Sequence, residues 1–420
     1  MQKYDVVIIG GGPAGLAAAI TAKEEGIDNI LILERENQLG GILNQCIHNG
    51  FGFHIFKEEL TGPEYAGKFI DKVKYMKIPY KLNTTVFNLS RNKIITAVNE
   101  EDGIIQIKAK AIILSTGCRE RPWGTMNIPG SRCAGIFTAG SAQKFINLEG
   151  YMPGKEIVIL GSGDIALIVA RRVTLEGGKV KAVIERQPYS SGLKRNIIQC
   201  LDDFKIPLKL NHTIIDIKGK DRVEGVTVIQ VDRNRRTIRG TEEYIPCDTL
   251  LLSVGLFPEN ELPRSAGVRL SNITGGPVVD ESLATNVDGM FACGNVLHVH
   301  DLVDNVTLES INAGKNAVKY VKGKKFNGNK IKVLALDGVK YTVPQYINAE
   351  NVEKTINIMF RVANVFKDRF ISVYFDGIRE IHLKKKILTP AEMEEVKFNK
   401  EILEKYPNCK QITIKVQREY

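Results

Sequence analysis

One pattern of apolar, small and polar residues occurs twice along this chain. In the first copy, the β-branched residues 6–9 predict a strand that is buried on both faces. A helix is predicted over residues 13–25, and a second buried strand, residues 30–33, ends at Glu34. This order of strand, turn, helix and strand is typical of half of a doubly wound α/β domain.

The second copy follows the same order further along the chain. Residues 157–160 predict its first strand, residues 165–176 its helix and residues 180–184 its second strand, which ends at Glu185. In both copies small residues follow the first strand at G-x-G-x-x-G/A spacing: Gly10, Gly12 and Gly15, then Gly161, Gly163 and Ala166. Such residues allow a tight turn, close approach of a pyrophosphate, and helix packing. Two copies predict two bound dinucleotides, which suggests electron transfer between them.

The acid that ends each second strand bears on the choice of dinucleotide. Glu34 is placed to accept hydrogen bonds from the ribose hydroxyls of an adenosine. Glu185 would do the same in the second copy, and its carboxylate would repel a 2′-phosphate. The sequence therefore favours NAD over NADP there, although the neighbouring Arg186 would partly accommodate NADP.

Further motifs resemble the two-dinucleotide flavoproteins of the glutathione reductase-like superfamily over residues 1 to about 322. They are AIILSTG (residues 111–117), IPG (128–130), LLLSVGLFPEN (250–260) and TNVDGMFACGN (285–295). The last usually ends in an Asp that binds a ribityl hydroxyl of FAD. Asn295 stands there in this chain, and an amide can still make that hydrogen bond.

The resemblance implies an α/β fold with two Rossmann-like, three-layer ββα domains. The FAD-binding domain would comprise residues 1–118 and 258–322, split by an NAD(H)-binding domain at 119–257. Glycines 40 and 41 would run beneath the flavin, where a side chain would collide with it. Carried over residue by residue, the FAD site would comprise Gly10, Gly12, Pro13, Ala14, Gly15, Glu34, Arg35, Gly40, Gly41, Val86, Thr116, Gly117, Gly294, Asn295 and Val306. The NAD(H) site would comprise Gly161, Gly163, Asp164, Ile165, Glu185 and Gly255.

Finer likeness lies with the α subunits of amine-oxidising complexes, such as opine oxidase, hydroxyproline and proline dehydrogenase, and sarcosine oxidase. It rests on the strings TGCRERPW (116–123), FTAGSAQKFIN (137–147), GSGDIALIVARR (161–172) and GNVLHVHDLVDNVTLES (294–310). Those subunits work beside a partner, so the resemblance implies a partner flavoprotein dehydrogenase or an iron–sulfur subunit. Only Cys409 lies beyond residue 293, so that part of the chain cannot bind a cluster.

The seven cysteines contain no C-x-x-C pair, which disfavours a thioredoxin or glutathione reductase. The leading hypothesis is an FAD-dependent, NADH-linked oxidoreductase that serves a partner dehydrogenase in a diaphorase-type role. The second is a stand-alone NADH oxidase or peroxidase that uses Cys46, near His48, through a sulfenic acid. The third is a redox-silent, flavin-bearing assembly subunit. Scattered cysteines and the absence of a signal peptide or membrane span predict a cytoplasmic protein.

His298, His300 and Asp301 form an H-x-H-D cluster just after the second FAD motif. No fourth donor motif accompanies them, so we predict no metal site. The resemblance places them before a helix, residues 304–321, whose amino end would face the flavin. His298 or His300 would then donate a hydrogen bond or move a proton near the isoalloxazine, while a structural role remains the alternative.

The remaining composition is that of a globular protein of 420 residues, with 43% hydrophobic and 25% charged residues. Residues 322–329 read as a linker, and short alternating strands after it predict an antiparallel β-sandwich over residues 330–420. Beyond residue 322, the linker and sandwich together carry 19 Lys and Arg against 12 Asp and Glu, a net charge of +7 out of the total of +10. We expect the sandwich to contact a partner or a second copy of the chain; no recognition module points to nucleic acid.

Overall fold

The computed structural model describes residues 1–326, 328 and 330–419, and the chain divides into two compact units. Unit 1 contains Met1–Asn44, Asn49–Cys118 and the chain from Pro258 onward. Unit 2 contains Gln45–His48 and Arg119–Phe257. Asn327 and Asn329 of the expected linker lie outside the described residues.

Unit 1 opens with a parallel sheet covered by helices. Its elements are β1 (Gln2–Ile9), α1 (Pro13–Glu24), β2 (Ile30–Leu33), β3 (Asn49–Phe51), β4 (Leu60–Thr61), α2 (Gly62–Tyr75), β5 (Tyr80–Lys81), β6 (Thr85–Leu89), β7 (Ile94–Asn99) and β8 (Gly103–Leu114), with a 3₁₀ turn at Gly41–Gln45. The strand order is β5-β2-β1-β8-β7-β6. β8 pairs in parallel with β1 through its carboxyl half and antiparallel with β7 through its amino half. It therefore joins the parallel sheet to a small meander.

Unit 2 repeats the parallel arrangement around the second glycine turn. Its elements are β9 (Cys118–Glu120), β10 (Ile136–Thr138), α3 (Ala139–Lys144), β11 (Glu156–Leu160), α4 (Asp164–Leu175), β12 (Lys179–Glu185), α5 (Lys194–Ile197), β13 (Leu208–Leu210), β14 (His212–Gly219), β15 (Val223–Gln230), β16 (Glu243–Pro246), β17 (Thr249–Leu252) and β18 (Leu256–Pro258). The parallel sheet has the order β10-β17-β11-β12-β13, and β14-β15-β16 form an antiparallel sheet. β9 and β18, where the chain enters and leaves unit 2, pair with each other.

The chain then returns to unit 1. This part contains α6 (Glu261–Ser265), β19 (Met290–Ala292), a 3₁₀ turn at Gly294–Val296 and α7 (Val303–Val321). β19 pairs in parallel with the end of β8, and α7 packs against α1. The close approach needs Gly314, because a Cβ there would lie 2.7 Å from the Ala18 carbonyl oxygen.

A β-sandwich completes unit 1 with its own apolar core. Its elements are β20 (Lys330–Ala335), β21 (Val339–Val343), β22 (Tyr346–Asn348), β23 (Thr355–Val362), β24 (Phe366–Phe375), β25 (Ile378–Leu388), β26 (Glu394–Asn399), α8 (Lys400–Glu404) and β27 (Gln411–Gln417). The sheets run β22-β20-β27-β24-β25 and β21-β23-β26. The expectation of antiparallel pairing is wrong at one pair, since β20 and β27 are parallel.

The repeated element order predicted from the sequence is confirmed in both copies. The first helix ends one residue before its predicted end, and the second begins and ends one residue earlier than predicted. In the described part of the chain, no helix has both the length and the apolar character needed to cross a bilayer.

Candidate functional site

The first glycine turn lies between β1 and α1, and its three glycines meet different constraints. Gly10 has a positive φ of 106°, and a Cβ there would lie 2.4 Å from the Ser115 carbonyl oxygen. A Cβ on Gly15 would lie 1.8 Å from the Gly10 oxygen. Gly12 differs, because its φ is −76° and the atom nearest to an added Cβ is 3.8 Å away, on Gly41. Gly12 therefore borders open space, as a turn that receives a pyrophosphate requires.

The second turn, between β11 and α4, has the same geometry. Gly161 has a φ of 102°, and its added Cβ would lie 2.0 Å from the Ser253 oxygen. Gly163 has a φ of −69°, and its added Cβ would come no closer than 3.8 Å to another residue, Ser191. Ala166 is fully buried in the helix. Both turns thus leave their second glycine open.

The helices behind these turns begin without a side-chain cap. Neither Gly12 before α1 nor Gly163 before α4 supplies one, whereas Thr61 caps the amino end of α2 with a complete capping box. Open amides at a helix amino end suit a phosphate group. Pro13 occupies the first turn of α1. Asp164, in the first turn of α4, instead accepts hydrogen bonds from the Leu193 amide (2.8 Å) and the Asn196 side chain (2.6 Å).

The two acids that end the second strands are held alike. Glu34 accepts a hydrogen bond from the Gly11 amide at 2.6 Å and one from the Glu36 amide at 2.9 Å. Glu185 accepts equivalent bonds from the Ser162 amide at 3.1 Å and the Gln187 amide at 2.8 Å. A carboxylate has about four lone-pair sites, so each retains capacity for a ribose hydroxyl.

Several residues assigned by resemblance to the FAD site converge on the first turn. A Cβ on Gly41 would lie 2.9 Å from Gly12 Cα, and the Gly40 amide donates to the Gly11 oxygen at 2.9 Å. Gly294 is equally close, since its added Cβ would lie 2.8 Å from Ala14 and 3.3 Å from Val306. The glycine pair and the second FAD motif therefore border the amino end of α1.

The other residues that the resemblance assigns to the two cofactor sites have fewer contacts that indicate a role. In unit 1, Gly117 has a φ of 72° with open space at its Cβ position, and Thr116 Oγ1 donates to the Glu259 oxygen. Val86 packs on the core, while Arg35 is exposed and lies 3.8 Å from Glu36. In unit 2, Ile165 packs on the core of that unit, and Gly255 accepts a hydrogen bond from the Arg121 amide.

The side chain of Asn295, at the position where the family motif has Asp, contacts the loop that follows it. Its Oδ1 accepts a hydrogen bond from the His300 amide at 3.0 Å. The amide side chain therefore also fixes the loop that carries the two histidines.

His298 and His300 meet an acid that sequence reasoning missed, Glu309 on α7. His298 Nε2 lies 2.9 Å from Glu309 Oε2, and His300 Nε2 lies 3.3 Å from Oε1. Burial tends to raise the pKa of Glu309, but the two imidazoles lower it to about 2. Burial and the neighbouring His300 lower the pKa of His298. The Gly294 amide also donates to Glu309 Oε1, at 2.6 Å.

The signal for Glu309 was an acid on the apolar stripe of α7, three residues after Val306 and four before Ala313. A residue of the sandwich, Arg361, also contacts the loop that carries the two histidines. Arg361 donates to the Val299 oxygen at 3.1 Å and lies 3.7 Å from the Asp301 carboxylate, with both side chains largely buried.

Cys46 lies in unit 2, on a segment fixed to α3 by Gln45, which donates to the Gly140 oxygen and to Gln143. Burial raises the pKa of the Cys46 thiol to about 12. Burial and Arg195 lower the pKa of His48 to about 4. At neutral pH Cys46 is therefore a thiol, which is a poor nucleophile.

Comparison with known proteins decides the family. The model of the pyridine nucleotide-disulphide oxidoreductase family matches residues 4–319. The chain belongs to this family. Its members bind FAD and a nicotinamide dinucleotide, and the open second glycines, uncapped helix ends and anchored acids of this chain fit both groups. The expected cofactor classes and the expectation of an FAD-dependent pyridine nucleotide oxidoreductase are confirmed.

Individual relatives agree with this assignment. Thioredoxin reductase of Listeria innocua is 29% identical over 326 residues, 76% of this chain and 94% of that protein. An opine oxidase subunit of Rhizobium meliloti is 28% identical over 315 residues, 70% of this chain but only 58% of that protein. The crystal structure of Lactococcus lactis thioredoxin reductase aligns with a TM-score of 0.62 and 25% identity, over 76% of this chain and 100% of that one.

The suspected superfamily and the fold class, two Rossmann-like domains with β-sheets after them, are therefore confirmed. The family name refers to a disulfide, yet all seven cysteines of this chain are thiols in the structure.

Proposed function

We propose that this chain is the NADH-oxidising, FAD-binding subunit of a dehydrogenase complex, with a diaphorase-type role. The observation that carries the proposal is the pair of open glycine turns in a chain without a cysteine pair. Two dinucleotides allow hydride transfer, and without a disulfide the electrons need an acceptor outside the chain. One relative is by its name a subunit of opine oxidase, and so a component of a larger assembly.

The residues of the chain bind and orient in this proposal. Residues 1–118 and 258–322 would bind FAD, and residues 119–257 would bind NADH. Bound FAD would supply a two-electron acceptor for hydride. Gly12 and Gly163 admit the two pyrophosphates, while Glu34 and Glu185 accept from ribose hydroxyls. Glu185 would repel a 2′-phosphate, so we expect NADH to be preferred over NADPH.

The burial of Cys46 argues against the stand-alone oxidase or peroxidase. Sulfenic acid chemistry starts from a thiolate, and a pKa of about 12 leaves almost none at neutral pH. The basic sandwich offers a surface for a partner that carries acidic groups. A cytoplasmic complex of this kind agrees with seven cysteines that form no disulfide.

The test combines a measurement of dye reduction by NADH with purification of the complex from native cells. The isolated, flavin-loaded chain should reduce a soluble electron-accepting dye with NADH and should not reduce a disulfide such as oxidised glutathione. Tagged chain purified from its native cells should retain a second flavoprotein or an iron–sulfur protein. Reduction of a disulfide by the isolated chain would contradict the proposal. Failure of every flavin-loaded preparation to reduce the dye with NADH would also contradict it.

A further inference from the structure

Two imidazoles and a carboxylate converge inside unit 1, outside the residues assigned to either dinucleotide. His298 and His300 lie on the loop before α7, and Glu309 lies on α7 itself. Their donor atoms all lie within 4.8 Å of one another. The histidine side chains are 1% exposed and that of Glu309 is 4% exposed. Three metal-ligating groups thus share one buried position.

We propose that His298, His300 and Glu309 bind a divalent first-row transition metal ion such as Zn²⁺ or Fe²⁺. Ligands at about 2.1 Å from such an ion are separated by about 3.0–3.4 Å in octahedral or tetrahedral geometry. His298 Nε2 lies 2.9 Å from Glu309 Oε2 and His300 Nε2 lies 3.3 Å from Oε1, so each imidazole is near that separation from one oxygen of the carboxylate. Two imidazoles with one carboxylate suit zinc and iron, whereas Mg²⁺ and Ca²⁺ prefer oxygen ligands.

The surroundings support this donor set. Metal ions bind an ionised carboxylate and neutral imidazoles. The Gly294 amide, at 2.6 Å, fixes Glu309 Oε1 in place. Orienting contacts of this kind hold first ligands in productive geometry.

The site would leave at least one coordination position for a ligand that is not one of these three side chains. Its structural consequence follows from its place in the chain. The ion would join α7 to the loop that continues from Gly294 and Asn295, the second FAD motif. Metal binding would therefore stiffen the loop beside that motif.

The same distances also suit a hydrogen-bonded cluster without metal, in which each Nε2 donates to the carboxylate. Both Nδ1 atoms are buried and have no partner within the described residues under either arrangement. The experiment must therefore count metal directly.

We would measure metal content in tag-free, flavin-loaded full-length protein after chelator treatment and dialysis against Zn²⁺, Co²⁺ or Mg²⁺. The expected result is about one equivalent of Zn²⁺ or Co²⁺ per chain, and no Mg²⁺. His298→Ala and Glu309→Gln should each weaken binding at least about tenfold. His382→Ala is the matched control, because His382 lies on β25, where it contacts Ser372. That variant should bind as the wild type does.

Wild-type protein that binds less than about a tenth of an equivalent would overturn the proposal, whatever the variants do. So would stoichiometric metal that persists in folded His298→Ala and Glu309→Gln. Flavin content and circular dichroism report folding, and His300→Gln replaces any variant that fails to fold. Reduction of the flavin by NADH is measured separately, so failure here leaves the proposed function standing.

Discussion

At the scale of single residues, the glycines of each fingerprint were predictable, and so was a separate role for each of them. Spacing alone assigned Gly10, Gly12 and Gly15, because a dinucleotide turn imposes that spacing. The structure adds their surroundings: Ser115 crowds Gly10 at a positive φ, whereas Gly12 lies at an ordinary φ beside open space. Glu309 escaped sequence reasoning because its partners lie on a separate loop.

The open second glycines, Gly12 and Gly163, predict that substitution of each one weakens binding of a different dinucleotide. Gly12→Ala adds a methyl group that the fold accommodates, so the protein should fold but lose FAD. Gly163→Ala should keep FAD and raise the Kd for NADH by about tenfold or more, since a Cβ blocks close approach of the pyrophosphate. Flavin absorbance and NADH titration measure the two effects.

Gly10→Ala is the matched control for this pair. Its Cβ would lie 2.4 Å from a backbone oxygen, so the expected result is lost folding rather than a selective loss of binding. Equal loss of both cofactors in Gly12→Ala and Gly163→Ala would show that the two turns do not bind separate dinucleotides.

At the scale of elements, the loop before α7 is held from three sides. Glu309 holds it from the helix, Asn295 from the FAD motif and Arg361 from β23 of the sandwich. Arg361 also donates to the Pro390 and Ala391 oxygens, so one side chain joins two segments of the sandwich to the loop. Sequence patterns predicted the helix α7 but could not indicate that it and β23 both contact this loop.

Arg361→Ala should lower the free energy of unfolding by about 2–4 kcal/mol, because it removes the cation near the buried Asp301 carboxylate and the donor to several carbonyl groups. Arg379→Ala, on the exposed face of β25, is the control and should change stability by less than about 0.5 kcal/mol. Denaturant unfolding of both variants measures the difference. Equal stability of the two variants would mean that the contacts of Arg361 contribute nothing to the free energy of unfolding.

At the scale of the whole molecule, the order of strands and helices in the two repeated copies was predictable, because repeated strand–helix patterns are local signals. Long-range pairing was not. The parallel β20–β27 pair joins residues about 80 positions apart, and no local pattern encodes it. Contacts of the sandwich with residues 279–281 were equally hidden, although Asn348 and Gln345 bond there directly.

Glu281, which takes part in those contacts, predicts a pH dependence of stability. Burial, then the neighbouring Asp280, raises the pKa of Glu281 from 4.5 to about 7. A raised folded-state pKa stabilises the fold below the unfolded pKa, and that stability is lost as pH rises through the folded value. The contribution of Glu281 to the free energy of unfolding should therefore fall between about pH 4.5 and 7. Denaturant titrations across this window measure it.

Glu281→Gln removes the titrating group, so its stability should depend less steeply on pH. Glu353→Gln is the control, since Glu353 is an exposed partner of Lys319 with a lowered pKa, and its slope should match wild type. A Glu281→Gln slope identical to that of wild type would refute this assignment.

The central claim is that one chain binds both dinucleotides and passes hydride between them. Anaerobic stopped-flow mixing of the purified, flavin-loaded chain with NADH, in the absence of any partner, tests it most directly. We predict rapid loss of the visible absorbance of oxidised flavin, to a similar final extent as dithionite produces. A flavin that dithionite bleaches but saturating NADH leaves oxidised would contradict the claim.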